Sequence, residues 1–401
     1  MPGLREAQFR HAAHFGMVMR ELNELYLQGG AALELSLNLF DRELENVKRG
    51  RSWAEAYAAE DTDAARLCSA YPRSGAALLN LRVSPVERLR WFEHGIASAQ
   101  RLKDAQAEGR HLNDLGMAYV ALGEIHKAIG YFQRRLANAQ ALGDAGGEAA
   151  AHGNLGNAHL ELSEVQEAIE RFEKALEIFR KLGLSRGQAD ALNNLGVAYK
   201  DADDLVRAIQ YHERARSTYH EIGYRRGEGQ TLNNLGVIYQ RMGEHNKAIE
   251  CCDQALLIFR QIGDHRGQGQ ALVNLGLAHR ELGEAHYALE LFNLALISHR
   301  EVKNRRGEGQ ALNNIGTIYR RLGETPRAIQ YFEQALSVAQ ETGNRRGEAS
   351  ALFNLSLAFE SVGNLPRALP KAEAALLIRE QIGDRRVSAI RDKLNLWRGR
   401  S

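Results

Sequence analysis

The sequence predicts an all-α solenoid, a stack of antiparallel helix pairs preceded by a helical arm. Three observations carry that prediction. An Asn-Leu-Gly triplet recurs every 40 residues, at Asn154, Asn194, Asn234 and Asn274, with the variants Asp114-Leu115-Gly116, Asn314-Ile315-Gly316 and Asn354-Leu355-Ser356. An alanine holds the same spacing at Ala128, Ala168, Ala208, Ala248, Ala288, Ala328 and Ala368. A fixed period without an insertion or deletion marks stacked supersecondary units rather than one globular core. Within a unit, Leu232, Leu235, Ile238 and Tyr239 fall at i, i+3, i+6 and i+7, the stripe of an amphipathic helix. One helix pair cannot bury such a stripe alone, so its stacked neighbours must.

Each unit divides at its glycines. Helix A is expected from about Gly227 to Arg241 and helix B from about Glu244 to Ile262, with Gly243 and Gly263 as C-caps. Gly236 and Ala248 are small because the two helices approach closely there, and the Gly-Glu-Gly runs at Gly227 and Gly307 read as helix contacts. They lack the third glycine of a phosphate loop. Four segments follow in order: an arm over residues 1–62, a degenerate capping repeat over 63–104, seven repeats over 105–386 and a closing helix over 387–401.

In the repeats, Leu195-Gly196 is followed by Tyr199, Leu235-Gly236 by Tyr239, and Ala168 by Phe172. This order resembles the tetratricopeptide repeat, L-G-x2-Y then A-x3-F, over roughly residues 107–386. The resemblance implies a right-handed superhelix of helix pairs with a concave groove that binds proteins or peptides. The period exceeds the usual ~34 residues, and the surplus is read as a longer second helix.

The arm is helical but outside the repeat. Phe15, Val18, Met19, Leu22 and Leu25 share one face, and Gly29-Gly30 ends that helix. A second pattern runs from Leu33 to Val47, and a third surrounds Trp53 and Tyr57. Ser84-Pro85 reads as N-cap and first helical residue. The order Phe40-Asp41, Glu43, Glu45-Asn46, Trp53-Ala54, Ala64-Ala65-Arg66-Leu67, Glu87-Arg88 and Trp91 resembles a bacterial segment of STAND-class signal-transduction ATPases. There it joins the nucleotide-binding module to a repeat array that acts as sensor. No G-x4-G-K-[ST] occurs, so the resemblance implies an ATPase carried outside this chain, and Met1-Pro2-Gly3 fits the start of an excised piece. Leu155-Gly156-Asn157-Ala158-His159 is also similar to Partner-of-Inscuteable-type adaptors, and the Asn-Leu pair to kinesin light chains; these imply a scaffold adaptor as the alternative.

Composition narrows the classes. The chain has 401 residues, 44% hydrophobic and 25% charged, with a formal net charge of +2, an ordinary balance that argues against disorder and nucleic-acid binding. It has no apolar run long enough for a membrane span and no signal-peptide core. Cys68, Cys251 and Cys252 cannot form a disulfide framework and point to a reducing cytoplasm; Cys252 occupies a core position equivalent to Phe172. No H-E-x-x-H, C-x2-C or G-x-S-x-G appears, so no enzyme, cofactor or metal is expected, and His11 and His14 read as structural.

Function is therefore sought on the surface. Asn154, Asn194, Asn234, Asn274, Asn314 and Asn354 lie beside the core leucine of helix A. In arrays of the resembled kind this position faces the groove. A carboxamide both donates and accepts, which matches the backbone of an extended peptide; the competing reading is that each bonds a neighbouring helix and sets superhelix geometry. Asn193, Asn233 and Asn313 widen the ladder, and Val273 and Phe353 interrupt it as an apolar sub-pocket. One turn onward, Lys200, Arg241, Arg280, Arg320 and Arg321 add positive charge, which suits an acidic ligand. Arg186, Arg226, Arg266, Arg306, Arg346 and Arg386 open successive A helices and are expected to hold the carbonyls that end the preceding B helix.

Overall fold

The computed structural model describes residues 3–27, 30–384 and 387–399. Gln28 and Gly29, Arg386, and Met1 and Pro2 lie outside them. The chain forms two compact units, Met1–Ala198 and Tyr199–Ser401.

The first unit begins with α1 (Leu4–Leu27) and α2 (Gly30–Tyr57), which pack along each other. The sequence reading divided α2 in two; the structure carries it through Gly50. That glycine is needed for close approach, because a Cβ there would collide with the Tyr71 ring and sit 3.0 Å from Ala12 Cα. Tyr71 comes from α3 (Thr62–Ser74) and donates its buried hydroxyl to the Ala12 carbonyl at 2.6 Å. Asp61 caps α3 by accepting from Asp63 and Ala64 N–H. A short α4 (Ala76–Arg82) follows, and Ser84 then caps α5 (Pro85–Arg101) by accepting from Glu87 N–H at 3.2 Å. Phe40, Val47, Tyr71, Leu78 and Trp91 form the buried core of this arm. The repeats follow as α6 (Ala105–Ala121), α7 (Ile125–Leu142), α8 (Ala145–Glu161), α9 (Val165–Lys181) and α10 (Ser185–Asp201).

The second unit continues with α11 (Leu205–Glu221), α12 (Arg225–Arg241), α13 (His245–Gln261), α14 (His265–Glu281), α15 (Ala285–Glu301), α16 (Arg305–Arg321), α17 (Thr325–Glu341), α18 (Arg345–Ser361), α19 (Leu365–Gln381) and α20 (Val387–Arg398). Helices A and B are both 17 residues long, so the surplus over a shorter repeat is shared and is not a longer B helix. Helix A starts two residues before Gly227, after Tyr224, which makes no side-chain cap; the next three A helices start at the same place and are capped. Asp264, Asn304 and Asn344 accept from the N–H of Gly267, Gly307 and Gly347 at 3.0, 3.2 and 3.1 Å. At the other end Gly243 and Gly263 adopt φ of 77° and 66°, and Glu244 N–H closes back on Tyr239 O at 2.9 Å.

The A–B contact is a glycine-to-ring slot. A Cβ on Gly316 would lie 2.7 Å from the Phe332 ring, and one on Gly276 would lie 2.6 Å from Phe292. Cys252 fills the same slot opposite Gly236, fully buried, and burial pushes its thiol far above the usual range. The A helices also touch their successors, α12 on α14, α14 on α16 and α16 on α18, so the A helices form a continuous face. Tyr199–Tyr211 and Tyr319–Tyr331 stack across their pairs at 5.2 and 5.4 Å. The stack ends at α20, whose Ile390, Leu394 and Trp397 are buried against the last repeat. Trp397 Nε1 donates to Glu360 Oε1 at 2.6 Å, which Lys393 also meets at 2.9 Å. Removing Trp397 strips this buried face. Trp397→Ala is expected to cost about 3–5 kcal/mol locally, read as faster hydrogen exchange in α18 and α19 than in α12 to α15. Pro370 lies inside α19 and lacks the N–H for Pro366 O, which weakens the same repeat.

Candidate functional site

The A-helix face is where exposed polar side chains recur, and its geometry follows from a one-residue offset between repeats. The carboxamide at one ladder position reaches the residue one place earlier in the previous repeat, 41 residues away. Asn274 Nδ2 donates to Asn233 Oδ1 at 2.9 Å, and Asn354 Nδ2 to Asn313 Oδ1 at 2.9 Å. In the first unit Asn154 Nδ2 donates to Asn113 Oδ1 at 2.6 Å. These bonds tie one A helix to the next. Asn233 and Asn274 are buried as well, at 8% and 5% exposure, so their bond lies in the interior. An alanine at either position strands a buried amide.

The offset also explains which carboxamides are left over. The position opposite Asn314 is Val273, and the position opposite Asn194 is Gly153; neither can accept. Asn314 and Asn194 are half-buried and have no side-chain hydrogen bond among the described residues. Asn193 and Asn234 are engaged. Val273 is fully buried and belongs to the core of the second unit, with Leu272 and Phe292. It is therefore not the wall of an apolar sub-pocket, while Phe353 is half-buried against the last core cluster.

The cations on this face are partly neutralised. Arg241 donates to Asp203 Oδ1 at 2.7 Å and to the Lys200 carbonyl at 2.8 Å, gripping the preceding turn. Lys200 meets Asp201 at 3.3 Å. Arg280 is held by Glu281 at 2.6 Å, and Arg321 reaches that carboxylate at 4.0 Å. Arg320 differs. It is half-buried, its Nε has no acceptor, and among the described residues it forms no ion pair. Burial, then the charge of Arg321, lowers its pKa, against an upward pull from the Glu360 carboxylate. Asn313 and Arg320 are seven residues apart on α16, as are Asn314 and Arg321, so two turns bring all four onto one face.

At the start of the A helices the expected arginine-to-carbonyl bonds are not what forms. Arg226 Nε donates to Asp264 Oδ2 at 2.7 Å, the cap of the next A helix. Arg186 is engaged, and among the described residues the side chains of Arg266, Arg306 and Arg346 have no hydrogen bond. The linking arginine is the residue before: Arg225 bridges Glu228 and Gln261, Arg305 bridges Glu308 and Glu341, and Arg345 bridges Glu348 and Gln381. Sequence reasoning missed this row and the stacked tyrosines. The signals were present, as Arg-x-x-Glu at the starts of α12, α16 and α18 and as tyrosines twelve residues apart.

Among the described residues no helix is long and apolar enough to cross a membrane, and no group of three His, Cys, Asp or Glu could hold a metal ion. His11 and His14 instead lie against Phe15, with ring centroids 4.6 and 5.0 Å away.

A search of curated sequences finds no match. Among solved structures, a Rap protein complexed with competence and sporulation factor is similar at 12% identity and a TM-score of 0.61, over 88% of this chain and 99% of that one. The apo form of the quorum sensor NprR from B. thuringiensis gives 15%, 0.59, 86% and 98%. A STAND protein with a tetratricopeptide repeat sensor from Pyrococcus horikoshii gives 16% and 0.56, over 94% of this chain but 55% of that one. At these identities the likeness shows the fold. The tetratricopeptide-repeat profile matches residues 147–220, 228–296 and 307–381. With more than half of its length matched on helix pairs of this architecture, the chain belongs to the tetratricopeptide repeat family, a protein-interaction fold.

Proposed function

We propose that the A-helix face of the second unit holds an extended peptide or partner segment, and that the chain is the sensing part of a STAND-type signalling ATPase whose nucleotide-binding module is separate. The observation that carries the reading is α16. It presents a carboxamide without a side-chain hydrogen bond, Asn314, and an arginine without a direct ion pair, Arg320, on one face. A half-buried amide and guanidinium that the fold leaves unused are suited to a ligand backbone and an acidic group. The ladder thus divides: Asn233, Asn274, Asn313 and Asn354 hold adjacent A helices, while Asn314 binds. The resemblance of the arm to the segment that precedes STAND sensors supports the signalling role, as does the likeness to a STAND protein along most of this chain. The three free cysteines fit a reducing cytoplasm.

The test begins with peptides selected from a displayed random dodecamer library against the full chain. Selected sequences should be enriched in Asp and Glu, and their affinity should fall as salt is added. Arg320→Gln/Arg321→Gln should weaken them and flatten that salt dependence, since screening acts on exposed pairs. Selection of uncharged peptides indifferent to both substitutions contradicts the reading.

A further inference from the structure

The first unit holds a second polar site, distant in sequence from the asparagine ladder. A cavity of about 460 Å³ opens where α1, α3 and α6 meet. Four guanidiniums line it: Arg20 from α1, Arg66 and Arg73 from α3, and Arg110 from α6. Glu24 and Asp104 also line it, and Asp104 is used in capping α6, accepting from Ala107 N–H at 2.8 Å. Arg66 and Arg73 have carboxylates outside the lining, Asp63 at 3.2 Å and Asp114 at 3.1 Å. Among the described residues Arg20 and Arg110 form no ion pair, although the charge of Arg110 acts on Asp114; the hydrogen bond of Arg110 is a long one to the Gln106 amide at 3.5 Å. The cavity therefore carries two cations that no carboxylate holds in direct contact. The N-terminus of α6, a 17-residue helix, lies at the same wall and adds the positive end of its dipole.

A second, independent feature lies in the wall. His111 lines the cavity at 1% exposure, with Nε2 at 3.1 Å from Ser69 Oγ and Nδ1 without a partner. Burial disfavours the charged imidazolium, and so do the nearby Arg73 and Arg110 guanidiniums. The lining contains no Phe, Tyr or Trp, which leaves no surface for stacking a base. The volume exceeds what one phosphate needs and lies within the range of small-molecule sites.

We propose that this cavity binds a compact polyanion bearing two or more phosphates, held by Arg20 and Arg110 with Arg73 alongside. Planar guanidiniums bind phosphate oxygens bidentately, so several arginines around one volume select clustered phosphates over a single carboxylate. The same chemistry is offered by a soluble polyphosphate and by a phosphoinositide headgroup.

The experiment titrates the full chain with sodium tripolyphosphate by calorimetry, in parallel with flotation on vesicles containing phosphatidylinositol 4,5-bisphosphate. Arg20→Gln/Arg110→Gln is the test variant; both side chains are exposed and bridge no carboxylate, so its thermal midpoint should match the parent. Arg42→Gln/Arg90→Gln, two exposed arginines of the same unit outside the cavity lining, is the control for unspecific attraction. The expected result is saturable tripolyphosphate binding weakened at least tenfold in the test variant and unchanged in the control. A local reporter accompanies it. Burial and then Arg73 pull the pKa of His111 down to about 4, with Ser69 pulling up, Arg110 down and Asp104 up in decreasing order. Tripolyphosphate in the cavity should raise the midpoint of its ring Cε1–H resonance. Vesicle binding that is lost in the test variant, with no tripolyphosphate binding, supports the site and assigns the phosphates to a lipid. Absence of binding in both arms, or equal loss in test and control variants, overturns the proposal.

Discussion

Phe332→Ala is expected to cost about 3–5 kcal/mol, one of the two largest effects of a single truncation in the second unit. The ring is fully buried and fills the slot that Gly316 leaves on α16. Because a glycine faces it, the neighbouring helix offers no side chain that could swing into the void. The measurement is a urea titration followed by hydrogen exchange. The C-terminal repeats should lose protection at lower urea than α12 to α15, since each repeat is stabilised chiefly by its neighbours. Gly316→Ala probes the slot from the other side. Its methyl would fall 2.7 Å from the Phe332 ring, so about 1–3 kcal/mol should be lost by overpacking. If Phe332→Ala shifts the urea midpoint no more than a surface substitution does, the slot is not the A–B contact described above.

Acid is expected to loosen both units, with a sign fixed by buried histidines. His111 and His212 are 1% and 0% exposed, and burial pulls both pKa values to about 4; Arg73 and then Arg110 add to the shift for His111, and Lys200 for His212. Both are neutral when folded and titrate near 6.5 when unfolded. A depressed folded pKa contributes stability that is complete above the unfolded value and is lost as pH falls toward the folded one. Between pH 7.5 and pH 5 each should therefore lose about 2 kcal/mol. Burial lowers His152 and His299 as well, in the same direction. His212 occupies the slot filled by Phe172, Phe292 and Phe332 in other repeats, and both its ring nitrogens lack partners. His212→Phe should therefore raise stability at pH 5 more than at pH 7.5. A urea midpoint independent of pH across this window contradicts the assignment.

Much of this architecture is legible in the sequence because its determinants are local. Glycine at the C-caps, the glycine-to-phenylalanine slot and the amphipathic stripe are each set by a few neighbouring residues. The capping Asp and Asn before α6, α8, α14, α16 and α18 were equally local and were missed. The patterns at Leu33 to Val47 and around Trp53 and Tyr57 were read apart because the role of Gly50 between them depends on Tyr71, a contact supplied by a different helix. The asparagine ladder was visible as a row, but its division was not. Whether a carboxamide is spent or spare depends on the residue 41 positions earlier, and that offset is a property of how successive A helices stack. Only with it do Val273 and Gly153 explain Asn314 and Asn194.

The division of the ladder is tested most directly by two single variants measured side by side. Asn274→Ala leaves Asn233 buried without its bond, so its thermal midpoint should fall by the equivalent of about 1–3 kcal/mol. Asn314→Ala removes no bond within the protein and should melt with the parent. For a peptide selected on the parent chain, Asn314→Ala should lose about 0.5–1.5 kcal/mol of binding. That pattern is the predicted result. The reverse, an Asn314→Ala chain that melts early and binds the peptide unchanged while Asn274→Ala retains the parent midpoint, would contradict it.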